Sequence, residues 1–265
     1  MRRSALPVVI VACVIVAAVL AWLAVGRMFR AAAEDAAGPP ASEVRPVGEF
    51  SKLDVSGLVN LTIIQANRRE VVVEAARGQA SRVRSEVSGN TLRITVRPPR
   101  GKRIRDAADP DLRVVVRTPS IEAIELSGAV KLAAPALAVP ALAIDASGPA
   151  SIRIDALQVD SLRFVGSGAV EAELAGRATE QSISLSGAGR VRSPRLASAS
   201  ARVDVSGAGI VVVNAEKSLR VDLSGAGVVE YLGNPELEEH VSGLGRIKRR
   251  DSAEAAPPRA RLRVA

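Results

Sequence analysis

The chain has 265 residues, of which 48% are hydrophobic and only 2% aromatic, and its formal net charge is +8. This length suffices for one sizeable domain, but its core must be built from Val, Ile, Leu and Ala, which suits thin stacked layers. The basic balance permits contact with anionic lipids, polysaccharides or nucleic acid. Nucleic acid is disfavoured, because single-strand binders stack bases on aromatic side chains, which are scarce here.

Residues 4–26 carry no charge and are almost wholly aliphatic from residue 8 onwards. As a helix they would span about 34 Å, enough to cross a hydrocarbon core of about 30 Å. Trp22 stands near the outer end, where an interfacial anchor is useful. Residues 1–30 are therefore predicted to be an uncleaved transmembrane signal anchor. The alternative is a cleaved signal peptide, whose apolar core is usually shorter, about 7–15 residues.

Arginines flank the apolar run with two on each side, so charge does not set its orientation. We place the main domain outside the inner membrane, in the periplasm or beyond, because that suits the rest of the chain. The single cysteine, Cys13, lies within the run, so no intramolecular disulfide is possible.

Residues 31–48 contain Ala, Gly and three Pro without an apolar period, which predicts a linker. Residues 49–119 contain strand-like runs separated by longer loops, and they are predicted to form an irregular β lobe that caps a rod. Such a cap is needed because an open end exposes unpaired backbone. Residues 251–265, rich in Ala, Pro and Arg, are predicted to be disordered.

A Ser-Gly dipeptide recurs seven times with a step of 18 to 20 residues, and an earlier copy precedes the array. The predicted structural turn residues are Ser56, Gly57, Ser127, Gly128, Ser147, Gly148, Ser167, Gly168, Ser186, Gly187, Ser206, Gly207, Ser224, Gly225, Ser242 and Gly243.

Positions one and three before each serine, and five after it, are nearly all apolar, whereas the position two before it is mostly polar. This period-2 alternation on each side of a turn predicts strand–turn–strand coils, in which each strand pairs with its counterpart one turn later. Residues 120–250 are therefore predicted to form an all-β solenoid, or β-helix, with 18–20-residue turns. A stack of hairpins or a β-sandwich is the alternative, and the near-constant step favours the solenoid.

The repeats at residues 205–209 and 223–227, the opening at residues 50–57 and the segment at residues 87–94 resemble the bacterial family called "putative auto-transporter adhesin, head GIN domain". The resemblance covers about residues 49–248. It implies a right-handed single-stranded β-helix and an exported, cell-envelope location. It implies no biochemical activity, because none is established for the family.

The serine column carries no base, because the only histidine, His240, stands at an outward position beside the last turn. The serines are therefore interpreted as turn residues that stack their hydroxyls in a hydrogen-bonded ladder, and not as nucleophiles.

Two carboxylates, Asp204 and Asp222, occupy the same outward position in successive turns, about 5 Å apart, as in a glycosidase pair or a metal site. Arg202 and Arg220 precede them by two residues, which favours a checkerboard of opposite charges that stabilises the sheet.

No cofactor or metal site is predicted. The Ser-Gly-Ala-Gly turns lack the aspartate of calcium-binding β-helices, and one histidine with one apolar-segment cysteine does not make a zinc site. A basic segment could contact an anionic ligand, although a solvated loop is the simpler interpretation. Its charged residues are Arg97, Arg100, Lys102, Arg103 and Arg105.

These features predict a non-catalytic cell-envelope solenoid, an adhesin-like binding or scaffold module tethered to the membrane by its N-terminal helix. Its predicted partner is an envelope protein or polysaccharide, with nucleic acid excluded and the oligomeric state open. The rival is a polysaccharide-acting enzyme on a β-helix, a fold that hosts several functions. A self-assembling filament is disfavoured by the anchor and by the basic residues of the last turn, 246–250, which oppose edge pairing.

Overall fold

A computed structural model describes residues 41–76, 79–97 and 112–250, and most of them lie in strands of one continuous sheet. The strands are β1 (Ala41–Pro46), β2 (Lys52–Ser56), β3 (Val59–Gln65), β4 (Glu70–Ala75), β5 (Val83–Ser88), β6 (Thr91–Val96), β7 (Arg113–Thr118), β8 (Ala123–Ser127), β9 (Val130–Ala134), β10 (Leu137–Ala146), β11 (Ala150–Gly166), β12 (Ala169–Leu185), β13 (Ala188–Val205), β14 (Ala208–Leu223), β15 (Val228–Leu232), β16 (Glu236–Val241) and β17 (Arg246–Arg249). A single turn of 3-10 helix, Ala80–Arg82, precedes β5.

The long strands β11 to β14 each run from one Ser-Gly pair to the next and pair in parallel with the coil before and the coil after. Register partners lie about one period apart, as with Leu137 and Leu157, or Ala169 and Ala188. The seven Ser-Gly pairs from Ser127 to Ser242 therefore delimit six stacked coils. The predicted all-β solenoid with 18–20-residue turns is confirmed.

Each coil has three faces. In β11, buried and exposed residues alternate over 150–154, 157–159 and 162–166, and two consecutive exposed residues stand at 155–156 and at 160–161. Because side chains of an extended strand alternate between its two sides, a doubled exposed position marks a corner where the chain bends inward. The Ser-Gly pair is the third corner. We call the face after it the first face, the short one the second face, and the face before the next Ser-Gly the third face.

The core consists of columns of equivalent residues from successive coils. Phe164, with none of its surface exposed, is stacked on the third face between its register partners Ile144 and Ile183. Gly166 lies in the neighbouring inward column, and a Cβ added to it would lie 2.7 Å from Leu185 Cδ2. The missing side chain of Gly166 thus makes room for the large residues around it.

Differences in coil length are absorbed at corners. Between the register pairs Arg192–Val212 and Ala197–Asn214, β13 has four intervening residues where β14 has one. This insertion brings buried Ser193 into the interior, where its hydroxyl donates to the Val212 carbonyl (3.0 Å). The faces keep their register because hydrophobic columns would otherwise turn outward.

A buried polar cluster sits beside this insertion. Gln181 donates to the Ser198 hydroxyl (2.8 Å), and Ser198 donates to the Asn214 carbonyl (2.7 Å). The hydrogen bonds offset the cost of burying these groups in an aliphatic core. Nothing in the repeat pattern predicts this cluster.

The first coils are not stacked in chain order. β2 and β3 lie between β6 and β7 on one side and β8 and β9 on the other, with parallel pairing throughout. The early pair Ser56-Gly57 therefore stands directly beside Ser127-Gly128, and the Gly57 N–H donates to the Ser127 carbonyl (3.1 Å). The boundary predicted at residue 119 does not divide the stack.

Antiparallel strands close this end of the rod. β5 pairs with β6, β4 pairs with β7, and β1 pairs with β4. Arg45 of β1 joins the two sides by donating to the Val83 carbonyl (2.6 Å) and the Ala80 carbonyl (3.1 Å). Its hydrogen bond to Glu43, and then its charge, lower the pKa of that carboxyl. Residues 41–46, within the predicted linker, are thus a strand of the cap.

The predicted anchor (residues 1–30) and tail (residues 251–265) lie outside the described residues. Among the residues that are described, no helix has the length and hydrophobicity needed to span a bilayer.

Candidate functional site

The Ser-Gly corner forms a ridge along the rod. All seven serines of the regular array are exposed, and the N–H of each from Ser147 onwards donates to a carbonyl of the preceding coil, as in Ser147 to Leu126 (3.0 Å). Within this array the hydroxyls do not bond to one another, so the predicted hydroxyl ladder is wrong. The Ser147 hydroxyl, for example, donates to the Leu126 carbonyl of the preceding coil (3.3 Å). The backbone makes the ladder instead.

The glycines of this corner are required by close approach of the coils. A Cβ on Gly148 would lie 2.6 Å from both N and O of Gly128, and the same conflict recurs up the column. Within the column a positive φ occurs only at Gly57 (108°) and Gly128 (103°). At the other positions, space rather than backbone freedom excludes a side chain.

An ion-paired ladder covers the outer side of the third face. Arg202 Nε donates to Asp204 Oδ2 (3.1 Å), and its Nη2 donates to Asp222 Oδ2 (3.3 Å). Arg220 Nε donates to the same Asp222 oxygen (3.3 Å), and its Nη1 donates to Glu238 Oε1 (2.8 Å). Both carboxylates of the suspected catalytic pair are therefore held by guanidinium groups.

The ladder differs from the predicted checkerboard in one respect. Arg202 and Arg220 are register partners, as are Asp204 and Asp222, so like charges stack along the rod. Opposite charges meet within a strand and on the diagonal. The hydrogen bond to Asp204, and then the charge of that carboxylate, raise the pKa of Arg202.

We expect Asp222→Asn to lower the unfolding midpoint by no more than about 2–4 °C at low salt, because exposed ion pairs contribute little. The difference from the parent protein shrinks as salt screens the remaining charges. Thermal unfolding followed by circular dichroism at two salt concentrations measures both effects. A large, salt-independent loss would show that the pair has a buried structural role.

His240 is the register partner of Asp222 and lines a shallow hollow of about 230 Å³ together with neighbouring corner serines. Within the described part of the chain, His240 makes no hydrogen bond to a serine hydroxyl or a carboxylate. A nucleophilic serine needs a base within hydrogen-bonding reach, and that base in turn needs an orienting partner. The hollow offers neither arrangement.

A larger hollow of about 1010 Å³ lies over the first face near the capped end. One wall is the apolar corner position that follows Ser-Gly in four neighbouring coils, and the outward residues two positions further along are polar. The lining includes Leu58, Ala129, Pro149, Ala169, Asn60, Lys131, Ser151 and Glu171. This surface was not predicted from the sequence, although the recurring apolar residue after each Ser-Gly could have indicated it.

The basic segment is described only at its start. Arg97 is exposed; its N–H donates to the Arg82 carbonyl (3.0 Å), and its carbonyl accepts from Arg82 Nε (2.9 Å). Arg100, Lys102, Arg103 and Arg105 lie outside the described residues, so the anionic contact stays a prediction. No group of metal-ligating side chains is found among the residues that the structure describes.

The family model described as "Putative auto-transporter adhesin, head GIN domain" matches residues 49–235. A "putative adhesin" from Bacteroides fragilis NCTC 9343 superposes with a TM-score of 0.73 at 20% identity, covering 81% of this chain and 98% of its own. A "putative adhesin" from Parabacteroides merdae ATCC 43184 gives 0.61 at 15% identity, with 81% and 97% covered. A "putative lipid binding protein" from Parabacteroides distasonis ATCC 8503 gives 0.62 at 16% identity, with 81% and 98% covered. No curated protein sequence matches the chain.

Proposed function

Because the chain belongs to the "putative auto-transporter adhesin, head GIN domain" family, we propose that it is a non-catalytic binding module displayed outside the bacterial cytoplasmic membrane. The observation that carries this proposal is the chemistry of the outer surface. The suspected carboxylate pair is engaged by Arg202 and Arg220, and the broad first-face hollow is open and of mixed polarity.

The first-face hollow suits an extended ligand lying along the rod. Its apolar wall is built from Leu58, Ala129, Pro149 and Ala169, which come from four successive coils. At the inter-strand spacing of about 4.8 Å, these positions extend over about 14 Å. Lys131 and Glu171 provide charged groups among the polar residues beside this wall. We infer an envelope polysaccharide as the ligand class, with the N-terminal segment holding the rod at the membrane.

We expect Ala169→Arg to abolish binding, because a long charged side chain would project into the hollow from its wall. Ala208→Arg is the matched control. Ala208 occupies the same exposed corner position two coils away and does not line the hollow. Binding of the detergent-solubilised full chain to immobilised envelope polysaccharides, against anionic and neutral vesicles, measures the effect.

Equal binding by both arginine variants would place the ligand elsewhere on the rod. The rival enzyme is distinguished in the same assay by the chain length of the bound polysaccharide. A non-catalytic module leaves that length unchanged over prolonged incubation. Shortening that disappears in Asp204→Asn would overturn the proposal and establish a hydrolase or lyase.

A further inference from the structure

The two ends of the rod are built differently. At the capped end, β1 and β5 also pair on one side only, but they are antiparallel to the stack and Arg45 of β1 binds the backbone carbonyls of Ala80 and Val83 at the start of β5. At the opposite end, β16 pairs only with β14, and β17 pairs only with β15. Each of these last strands therefore has one edge without a partner among the described residues, and an unpaired edge is a template for another chain.

The two open edges carry opposite charges. On β16, Glu236 and Glu238 face outward on the third face, since they alternate with Leu237, the register partner of buried Leu219. On β17, Arg246 and Lys248 face outward on the first face, on either side of Ile247. The terminal coil thus presents one acidic edge and one basic edge, joined at the Ser242-Gly243 corner.

The same coil exposes apolar side chains that equivalent positions elsewhere bury. Val241 is 43% exposed and Leu237 is 36% exposed, whereas their register partners Leu223 and Leu219 are buried. Leu244 extends this apolar surface with 95% exposure, at a corner position that is not buried in the other coils either. Glu239 occupies the inward column that holds Val221 in the preceding coil. A partner for this end must therefore cover apolar surface and supply a cation facing Glu239.

We propose that a second copy of this chain docks on the open end through a two-fold axis that is perpendicular to the rod and passes through the Ser242-Gly243 corner. This axis exchanges the first and third faces. The β16 edge of one copy then lies antiparallel along the β17 edge of the other, and the reverse pairing forms at the same time.

The charges select this arrangement. Outward Glu236 and Glu238, the second of which also accepts from Arg220 of its own chain, come to lie beside outward basic residues of the second copy's β17. Complementary cross-strand pairs of this kind stabilise a sheet. Arg249, which is exposed and donates to Asn234 Oδ1 (3.0 Å) in its own chain, is the β17 cation that would turn to inward Glu239 of the second copy. Because a two-fold interface is closed, it yields a dimer and leaves no free end for a filament. In this arrangement the basic residues of β17 prevent pairing with the β17 edge of another copy but favour pairing with its acidic β16 edge.

Cysteine cross-linking tests the position of the axis. In a Cys13→Ala background, we expect Ser242→Cys in the full chain to form a disulfide-linked dimer on mild oxidation, because the corner lies on the axis. Ser147→Cys is the matched control, since it occupies the same exposed corner in mid-rod. Equal cross-linking at both positions, or none at Ser242→Cys, would overturn the proposal.

Charge reversal tests the complementarity. Arg246→Glu with Lys248→Glu makes both edges acidic, and Glu236→Lys with Glu238→Lys makes both basic. We expect each double variant to be monomeric by light scattering in detergent, and an equimolar mixture to form a heterodimer. A parent protein that stays monomeric at all concentrations would contradict the proposed dimer. A dimer that is unaffected by both charge reversals would also contradict it, and would point to contacts through the N-terminal segment. A dimer that forms only when residues 251–265 are removed would contradict it too, because the tail would then occupy the open end.

Discussion

Phe164→Ala is expected to lower the free energy of unfolding by about 3–5 kcal/mol, the usual cost of removing a buried phenylalanine ring. Among the residues that the structure describes, Phe164 is the largest fully buried side chain, and its column neighbours Ile144 and Ile183 are fixed by strand register. Because strand register holds the neighbouring side chains in place, they can fill only part of the resulting cavity. Urea unfolding of the solubilised full chain, followed by far-ultraviolet circular dichroism, measures the loss.

Phe164→Leu is the matched comparison, because it keeps an apolar side chain of intermediate volume. We expect it to cost about 1.5 kcal/mol or less. A loss below about 1 kcal/mol for Phe164→Ala would mean that the third face collapses around the missing ring. Such collapse is incompatible with coils held in register by the backbone ladder.

Gly148→Ala is expected to destabilise the rod by about 3 kcal/mol, at the upper end of the usual overpacking cost. The added Cβ would lie 2.6 Å from backbone atoms of Gly128. Both are backbone atoms of the neighbouring coil, so they cannot move away as the end of a flexible side chain could. The coils must separate at this corner, which weakens the interface between neighbours on which a solenoid depends.

Gly48→Ala separates this steric effect from the general consequence of replacing glycine. A Cβ at Gly48 meets no atom within 4 Å, and we expect its stability to stay within about 0.5 kcal/mol of the parent value. Equal denaturation midpoints for Gly148→Ala and Gly48→Ala would show that the coils at this corner can accommodate a methyl group. The glycine column would then be a feature of the turn alone.

The suspected site was predictable in composition but not in geometry. The spacing of Arg202, Asp204, Arg220 and Asp222 placed these side chains on one face of neighbouring coils, and the structure confirms that they form ion pairs. The diagonal hydrogen bond from Arg202 to Asp222 depends on the stagger between coils, which a repeat length does not specify. The hydroxyl ladder failed for a different reason. Hydroxyls of register partners can bond, as Ser56 Oγ does to Thr95 Oγ1 (3.2 Å), but side-chain rotamers decide whether they do, and a repeat length does not specify rotamers.

Two features depend on contacts between distant parts of the chain. Ser56-Gly57 joins the glycine column beside Ser127-Gly128, although about seventy residues separate the pairs. β1 joins the cap because β4 offers it an edge, and its own short sequence has no distinguishing period. Neither pairing can be derived from a local pattern, because many alternative partners have the same alternation.

The sequence by itself determined the all-β solenoid, its turn length and the positions of its buried columns. It could do so because a repeated alternation places the same residue types in register in every coil. Only the tertiary structure decided the order of the first coils, the three-faced cross-section, the hollow over the first face and the contrast between a capped end and an open one. These depend on where corners bend and which edges find partners, and both are settled by packing between residues far apart in the chain.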